Sequence, residues 1–400
     1  MANKSITTPK GFVAAGVHCG IKQSEKPDLA LLYCPTGAKA AAVFTTNAIT
    51  AAPVAVCRGH LQNNPIYAAV INSGNANACT STKGLAGAAV MCSKVAKELN
   101  IQTGQVLIAS TGIIGLQLPL TKINSGISKA VTLLGGSQVA GMNFAKAIMT
   151  TDTKPKQAIQ TVEIYGQTIT IAGTAKGAGM IGPNMATTIC VITTDIAISK
   201  PLLGKALKNA IGTSLNRLTV DGHQSTNDTA MILASGLAQN KTIKKQDSGY
   251  RRFSRALNEV CSDLAKQMAL DAEGATRMFT VLVKGAAKKE DAFKAARAVA
   301  DYDLVKCAIH GGDPNWGRII CAVGSCGVKL NPDKLSCKIG EFFVFRGGKP
   351  AKFDANAVSA VISKKEHTIT IDLGVGKYRD FCYGCDLSRD YVTINADYHT

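Results

Sequence analysis

Aromatic residues make up 5% of this chain of 400 residues, with one tryptophan among them. A single-stranded nucleic-acid surface needs aromatic platforms for its bases, and no such platform stands out. No run reaches eighteen continuous apolar residues, so no membrane-spanning helix is expected. The N-terminus, Met1-Ala2-Asn3-Lys4-Ser5, has no apolar stretch behind it of the kind a signal peptide carries, and cytoplasm is the default expectation. Paired metal-binding cysteines are also missing. Of thirteen cysteines only Cys382 and Cys385 stand as a CxxC pair, and no second pair or histidine pair completes a zinc motif, so no metal site is expected. An odd cysteine count in a cytosolic-looking chain fits buried free thiols. Acidic residues are short against basic ones, 27 to 45, giving a net charge of +18. The lysines are spread along the chain, and the denser stretches at 241–255 and 284–289 are broken by acidic or apolar residues. A solvated surface with a basic bias fits better than a nucleic-acid interface, and it would steer anionic substrates weakly.

The apolar pattern predicts a mixed fold. Short apolar runs over 12–75 read as strands. Residues 83–99 carry apolar side chains at helical spacing, 106–109 is a short buried strand leading into Ser110-Thr111-Gly112, and 137–149 reads as a helix. Residues 161–171 read as a hairpin around Tyr165-Gly166-Gln167. A helix opens near Ser199 and Pro201 with Leu203, Leu207, Ile211 and Leu215 four apart on one face. A longer one carries Phe253, Leu257, Val260, Leu264 and Met268. A strand at 280–283 and a helix at 291–300 follow. Helices and strands mixed without a strict βαβ rhythm predict an α/β (α+β) layered sandwich.

The most informative run is Lys176-Gly177-Ala178-Gly179-Met180-Ile181-Gly182-Pro183-Asn184-Met185-Ala186-Thr187-Thr188. Its Gly-x-Gly-x-x-Gly spacing matches a dinucleotide fingerprint, but that motif needs a helix directly after the glycines. Here Pro183 and Asn184 follow, and then a β-branched run from Thr187 that reads as a strand. A tight Gly-Pro turn between two strands accounts for the residue types. A strand that starts on threonine after a constrained turn is also what a self-cleaving nucleophile requires. A cut between Ala186 and Thr187 would put a hydroxyl and a free α-amine on one residue. The amine, with a reference pKa of about 7.7–8.0, is a base near neutral pH. It would supply the activation that a threonine hydroxyl lacks.

Further motifs stand in order along nearly the whole chain: Asn72-Ser73-Gly74-Asn75-Ala76-Asn77-Ala78, Ser110-Thr111-Gly112-Ile113-Ile114-Gly115, Thr151-Asp152-Thr153, Asp271-Ala272-Glu273-Gly274-Ala275-Thr276-Arg277, His310-Gly311-Gly312-Asp313-Pro314-Asn315-Trp316-Gly317-Arg318 and Ile394-Asn395-Ala396-Asp397-Tyr398-His399-Thr400. With the run at 176–188 they resemble the ornithine acetyltransferase (glutamate N-acetyltransferase) family of arginine biosynthesis. The resemblance implies a self-processed enzyme of N-terminal-nucleophile type. Cleavage before Thr187 would give an α chain, 1–186, and a β chain, 187–400, assembled as α2β2. It implies acetyl transfer from N-acetylornithine to glutamate, with acetyl-CoA as a further donor in some members and no resident cofactor. By the family pattern Thr187 is the nucleophile, the Thr111 hydroxyl and Gly112 N–H form the oxyanion hole, and Thr153, Lys176, Thr187, Glu273, Asn395 and Thr400 bind substrate. As bare residues, Ser110-Thr111-Gly112 reads as an ordinary strand-end turn and Lys176 as a solvated lysine. Thr153 and Asn395 read as turn or cap residues, Glu273 as a helix-end carboxylate, and Thr400 as a fraying terminus.

Departures from the pattern are Ala178 where the family often has serine, Gly182 where it often has alanine, and the unusual His223 and Gln224. His310 invites a histidine-based triad, but no Gly-x-Ser-x-Gly elbow accompanies it, and its segment reads as a Gly-rich structural turn. Two rival functions remain at this stage. One is a self-processing aminopeptidase or amidohydrolase, and the other is a basic binding protein without catalysis.

Overall fold

A computed structural model describes residues 5–63, 65–182 and 188–397. The chain forms two compact units. Of the described residues, unit 1 comprises 5–63, 65–182, 188–216 and 224–268, and unit 2 comprises 217–223 and 269–397.

Unit 1 holds β1 (Val13–Val17), β2 (Leu29–Phe44), α1 (Ala52–His60), β3 (Ile66–Asn75), α2 (Ser81–Leu99), β4 (Val106–Ile113), α3 (Leu120–Thr132), α4 (Gln138–Ala147), β5 (Lys156–Ile164), β6 (Gln167–Lys176), β7 (Ile189–Thr194), α5 (Lys200–Gly212), β8 (Thr229–Ala234) and most of α6 (Ser248–Leu270). The sheet runs β4-β3-β2-β8-β7-β6-β5, with β1 also paired to β2. The pairs β3–β4 and β7–β8 are parallel and the others antiparallel.

Strand β2 does two jobs. Its first half, to Tyr33, pairs with β1 and β3, and its second half, Lys39 to Phe44, pairs with β8. The register breaks between Tyr33 and Ala38, where Pro35 withholds a ladder donor. The strand thereby passes from one half of the sheet to the other. Side chains of both halves meet in one core: Val70, Ile71 and Ile108 share a cluster with Ile189, Val191, Met231 and Leu233. The expected sandwich is thus built inside unit 1.

The hairpin expected at 161–171 is β5–β6, and its turn residues Tyr165 and Gly166 both have positive φ, 51° and 76°. That is the turn whose twist suits a two-residue hairpin. Gly173 on β6 lets α6 approach, since a Cβ there would lie 3.0 Å from Leu264 and 3.1 Å from Val260. The reading of 12–75 as strands needs one correction: residues 52–60 are the helix α1. Pro53 sits in its first turn, where the missing N–H costs nothing, and Pro53, Val54 and Cys57 bury one face.

Unit 2 holds β9 (Met278–Ala286), α7 (Lys289–Asp301), α8 (Asp303–Gly311), α9 (Trp316–Ser325), β10 (Ser336–Ile339), β11 (Phe342–Arg346), β12 (Lys349–Pro350), α10 (Ala355–Ile362), β13 (Glu366–Asp372), β14 (Tyr378–Cys385) and α11 (Arg389–Asp397). Its sheet runs β12-β11-β10-β13-β9-β14, with β9 and β13 parallel. Helix α7 lies on β9 and β14, where Ala292, Ala295, Ala296 and Val299 are small enough to seat it. Residues 217–223 belong here because Leu218 bridges to Tyr383 on β14 and Arg217 makes a two-pronged ion pair with Asp380, at 3.0 and 2.9 Å.

Candidate active site

The expected oxyanion turn lies at the end of β4. Thr111 is buried, and Gly112 has φ +130°, a conformation that suits glycine. A Cβ on Gly112 would sit 2.3 Å from the backbone carbon of Gly74 on the parallel neighbour β3. Only glycine allows that approach, and the register shifts there between Gly74 and Asn75. The asparagine-rich motif braces the turn from below. The Ser110 hydroxyl donates to Asn72 Oδ1 at 2.6 Å, and Asn72 Nδ2 donates to the Asn75 carbonyl at 2.8 Å.

Lys176 ends β6, opposite Ile189 at the start of β7. It is 1% exposed, so the solvated reading of this lysine is wrong. Its ammonium donates to Thr111 Oγ1 at 3.3 Å. A hydroxyl that accepts in this way keeps its own proton to donate elsewhere, which is the polarity an oxyanion donor needs. Along the sheet Thr111 and Lys176 stand on strands five steps apart. A flat sheet would separate such strands by about 24 Å at ~4.8 Å per step. The fold-over at β2 brings them into contact.

Asp152 is the counter-charge. Lys156 Nζ approaches its Oδ1 at 2.5 Å, and the Gly177 N–H donates to the same oxygen at 2.8 Å. Burial by itself would raise this carboxyl, but Lys156, Lys176 and the Gly177 amide outweigh it and hold the pKa at about 2. Lys22 joins the cluster with its ammonium on the Pro27 and Met149 carbonyls, both at 2.8 Å. Burial and the nearby Lys176 bring it down to about 8 against the opposing pull of Asp28 and Asp152.

On the other side, the Thr188 N–H donates to Asp228 Oδ1 at 2.6 Å. Asp228 is fully buried, and burial pushes its carboxyl well above the usual range, against the lowering effect of the Thr188 amide and of Lys176. Asn227 Nδ2 donates to the carbonyls of Ala76 and Ser110, at 2.6 and 2.8 Å.

Thr111, Gly112 and Lys176 therefore gather at one buried place in unit 1. Thr153 is exposed, one residue after Asp152. Glu273 and Asn395 meet in unit 2, where Asn395 Nδ2 donates to Glu273 Oε2 at 2.9 Å. Glu273 lies in the turn after α6 and is half-buried. Ala186, Thr187 and Thr400 fall outside the described residues, as do Pro183 to Met185 in the turn.

His310 needs correction. It lies in the last turn of α8, not in a loop, and Gly312 caps that helix in the left-handed conformation. Its Nδ1 is 2.7 Å from Asp386 Oδ2, and Asp386 also accepts from the backbone of Thr276 and Arg277 and from the Thr276 hydroxyl. In sequence Asp152, Lys156 and Asp228 carry no mark of this role beyond the place of Asp152 in the Thr151-Asp152-Thr153 motif. The unusual His223 is exposed, with Nδ1 3.4 Å from Asp221. Gln224 Nε2 donates to the Thr46 hydroxyl at 2.7 Å. Among the described residues no cluster of three or more potential metal ligands occurs, and no helix is long and apolar enough to cross a membrane.

The profile of the family described as ArgJ matches residues 13–400. A relative from Symbiobacterium thermophilum, named arginine biosynthesis bifunctional protein ArgJ, is 46% identical over 397 residues, covering 99% of this chain and 98% of its own. A relative of the same name from Geobacillus kaustophilus is 42% identical over 401 residues, covering 100% and 97%. A crystal structure of arginine biosynthesis bifunctional protein argJ from Bacillus halodurans aligns with a TM-score of 0.50 at 40% identity. It covers 52% of this chain and 97% of its own.

Proposed function

The chain belongs to the ArgJ family and is an acetyltransferase of arginine biosynthesis, and from that premise we propose that it works through a threonine nucleophile released by its own cleavage. The reaction moves acetyl from N-acetylornithine to glutamate. In maturation, the Thr187 hydroxyl attacks the Ala186 carbonyl, the C–N bond breaks, and water hydrolyses the resulting ester. This leaves residues 1–186 and 187–400 as separate chains with Thr187 Oγ and its α-amine both liberated. In turnover, Oγ attacks the acetyl carbon and its proton passes to the α-amine. The amine hands the proton to the departing ornithine nitrogen as the C–N bond breaks. The glutamate amine then attacks the acetyl ester, and Oγ recovers a proton as N-acetylglutamate leaves.

The observation that carries this reading is the buried contact of Lys176 with the Thr111 hydroxyl, beside the start of β7 and only a short step in sequence from Thr187. A donor polarised by an ammonium in a water-poor site suits a developing oxyanion, and Gly112 N–H is assigned as its companion. Lys176, Thr153, Thr187, Glu273, Asn395 and Thr400 are assigned to substrate binding, with the lysine suited to a carboxylate. β6 and β7 are hydrogen-bonded neighbours, so a cut between them would leave the two chains joined through the sheet. The half-length Bacillus halodurans chain is compatible with a protein cut near its middle. The finer reading extends to an α2β2 assembly in the cytoplasm, acetyl-CoA as a second donor and no resident cofactor. The aminopeptidase alternative is not favoured, since full-length relatives above 40% identity carry the biosynthetic name.

Denaturing electrophoresis with N-terminal sequencing tests the proposal. Two bands are expected, one beginning at Thr187, and Thr187→Ala should give a single full-length band without acetyl exchange. Normal exchange by Thr187→Ala would overturn the nucleophile assignment.

A further inference from the structure

Asn227 and Asp228 are consecutive, and each holds one side of the site. The Asn227 amide ties down the Ala76 and Ser110 carbonyls, and Ser110 directly precedes Thr111. The Asp228 carboxyl accepts from the Thr188 N–H, while the Thr229 N–H donates to the Thr188 carbonyl at 3.0 Å. Thr188, the residue after the assigned nucleophile, is therefore gripped on both faces of its backbone. Asp228 is itself fixed, because its carbonyl accepts from the Thr45 amide at 3.0 Å on the chain leaving β2. Both side chains are buried, and Asp228 Oδ2 has no hydrogen-bond partner among the described residues.

An acceptor with an unpaired oxygen is expensive to bury. The buried Thr188 N–H needs an acceptor here, but a neutral amide oxygen would serve it at lower cost, so the stability of the sheet does not call for a carboxyl. What the pair supplies is a short, rigid link between β4 and β7, which lie on opposite halves of the folded sheet.

We propose that Asn227 and Asp228 are positioning residues that set the distance between the oxyanion turn at Thr111-Gly112 and the first residues of β7. The inference rests on the assignment of Thr187 as nucleophile. Neither side chain is asked to exchange a proton with substrate. Asp228 acts through the Thr188 amide and Asn227 through the Ser110 carbonyl. A displacement of about 1 Å between reacting groups can cost about 10²-fold in rate.

The test uses the full-length protein and three variants, with self-cleavage followed by electrophoresis and acetyl exchange followed by steady-state kinetics. Asp228→Ala is expected to slow self-cleavage about 10²-fold. In its cleaved fraction kcat should fall with KM for glutamate unchanged. Asp228→Asn keeps a carbonyl oxygen for Thr188 and should stay within about threefold of the parent in both readouts, on the premise that a neutral acceptor suffices. Asn227→Ala should lower kcat without moving KM, and it decides the matter if Asp228→Ala does not fold. Parental rates in Asp228→Ala, or a change confined to KM, would overturn the proposal. So would a folded Asp228→Asn that is as slow as alanine, since that would mean that the proton or charge of Asp228 matters. Thr187→Ala run in parallel separates the two ideas. Exchange by that variant rejects the nucleophile, whereas a dead Thr187→Ala beside unaffected Asp228 and Asn227 variants rejects only the brace.

Discussion

The two units treat charge differently. Unit 1 carries Lys156, Lys176 and Asp152 deep inside, at strand ends, where each would be costly alone. Unit 2 closes its core with apolar side chains and keeps most of its ion pairs at the margins. Lys284 and Asp372 are 54% and 37% exposed, and His310 is 39% exposed beside Asp386. Buried charges occur here too: Lys306 has its ammonium on the Val220 carbonyl, and Asp380 and Asp386 are buried opposite Arg217 and His310. A buried ion pair can often be replaced by apolar residues without loss of stability. The cluster in unit 1 is therefore better explained by chemistry than by folding, in keeping with the proposed acetyl transfer beside Thr111.

The strongest way to break this contrast is to remove the counter-charge. Asp152→Ala should destabilise unit 1 by about 3–5 kcal/mol, because Lys156 and Lys176 would remain buried with no carboxylate between them. Denaturant unfolding measures it, and a loss below about 1 kcal/mol, the range of surface pairs, would mean that the cluster is effectively solvated. A smaller but more specific effect is expected of Thr111→Val, which keeps shape and removes the hydroxyl. Loss of one oxyanion donor costs about 10²–10³ in kcat, or about 2.7–4 kcal/mol. The melting temperature should shift little. An unchanged kcat would move the oxyanion hole elsewhere.

The smallest effect probes unit 2. His367 is buried against Phe279, with ring centroids 5.9 Å apart and no partner for either ring nitrogen among the described residues. Burial, with Arg277 adding to it and Asp386 opposing, lowers its pKa from 6.5 to about 4. The folded protein then binds fewer protons than the unfolded one between those values, so this histidine makes stability fall as pH drops from 6.5 to about 4, with no further change below. His367→Phe should flatten that limb of the stability curve. A limb that survives in the variant would have to come from other groups.

Much of the fold was legible because its signals are local. The hairpin at Tyr165-Gly166 announces itself through turn chemistry, and α2, α4, α5 and α6 through helical spacing of apolar residues. Residues 52–60 were misread because a short run of alanine, valine and cysteine after a proline serves a strand as well as a helix. His310 was misplaced for a related reason: the glycines that follow it terminate a helix instead of forming a free turn. Thr111, Gly112 and Lys176 were legible only through resemblance. As residue types, a strand-end threonine and a lone lysine carry no signal. Asp152 and Asp228 gave none either, since a carboxylate in sequence does not say whether it will meet water or an amide.

The order of the motifs by itself determined the family, and with it the acetyl-transfer chemistry, because several long segments in sequence are far more specific than any one residue. The pattern of apolar spacing determined most elements, because helix and strand periodicities are properties of neighbouring residues. Only the tertiary structure decided that Lys176 is buried and that it reaches Thr111 across five strand steps. That contact depends on the partner switch of β2 and the fold-over it produces. Burial and long-range proximity are set by how strands are ordered in space, and no local sequence pattern encodes that order.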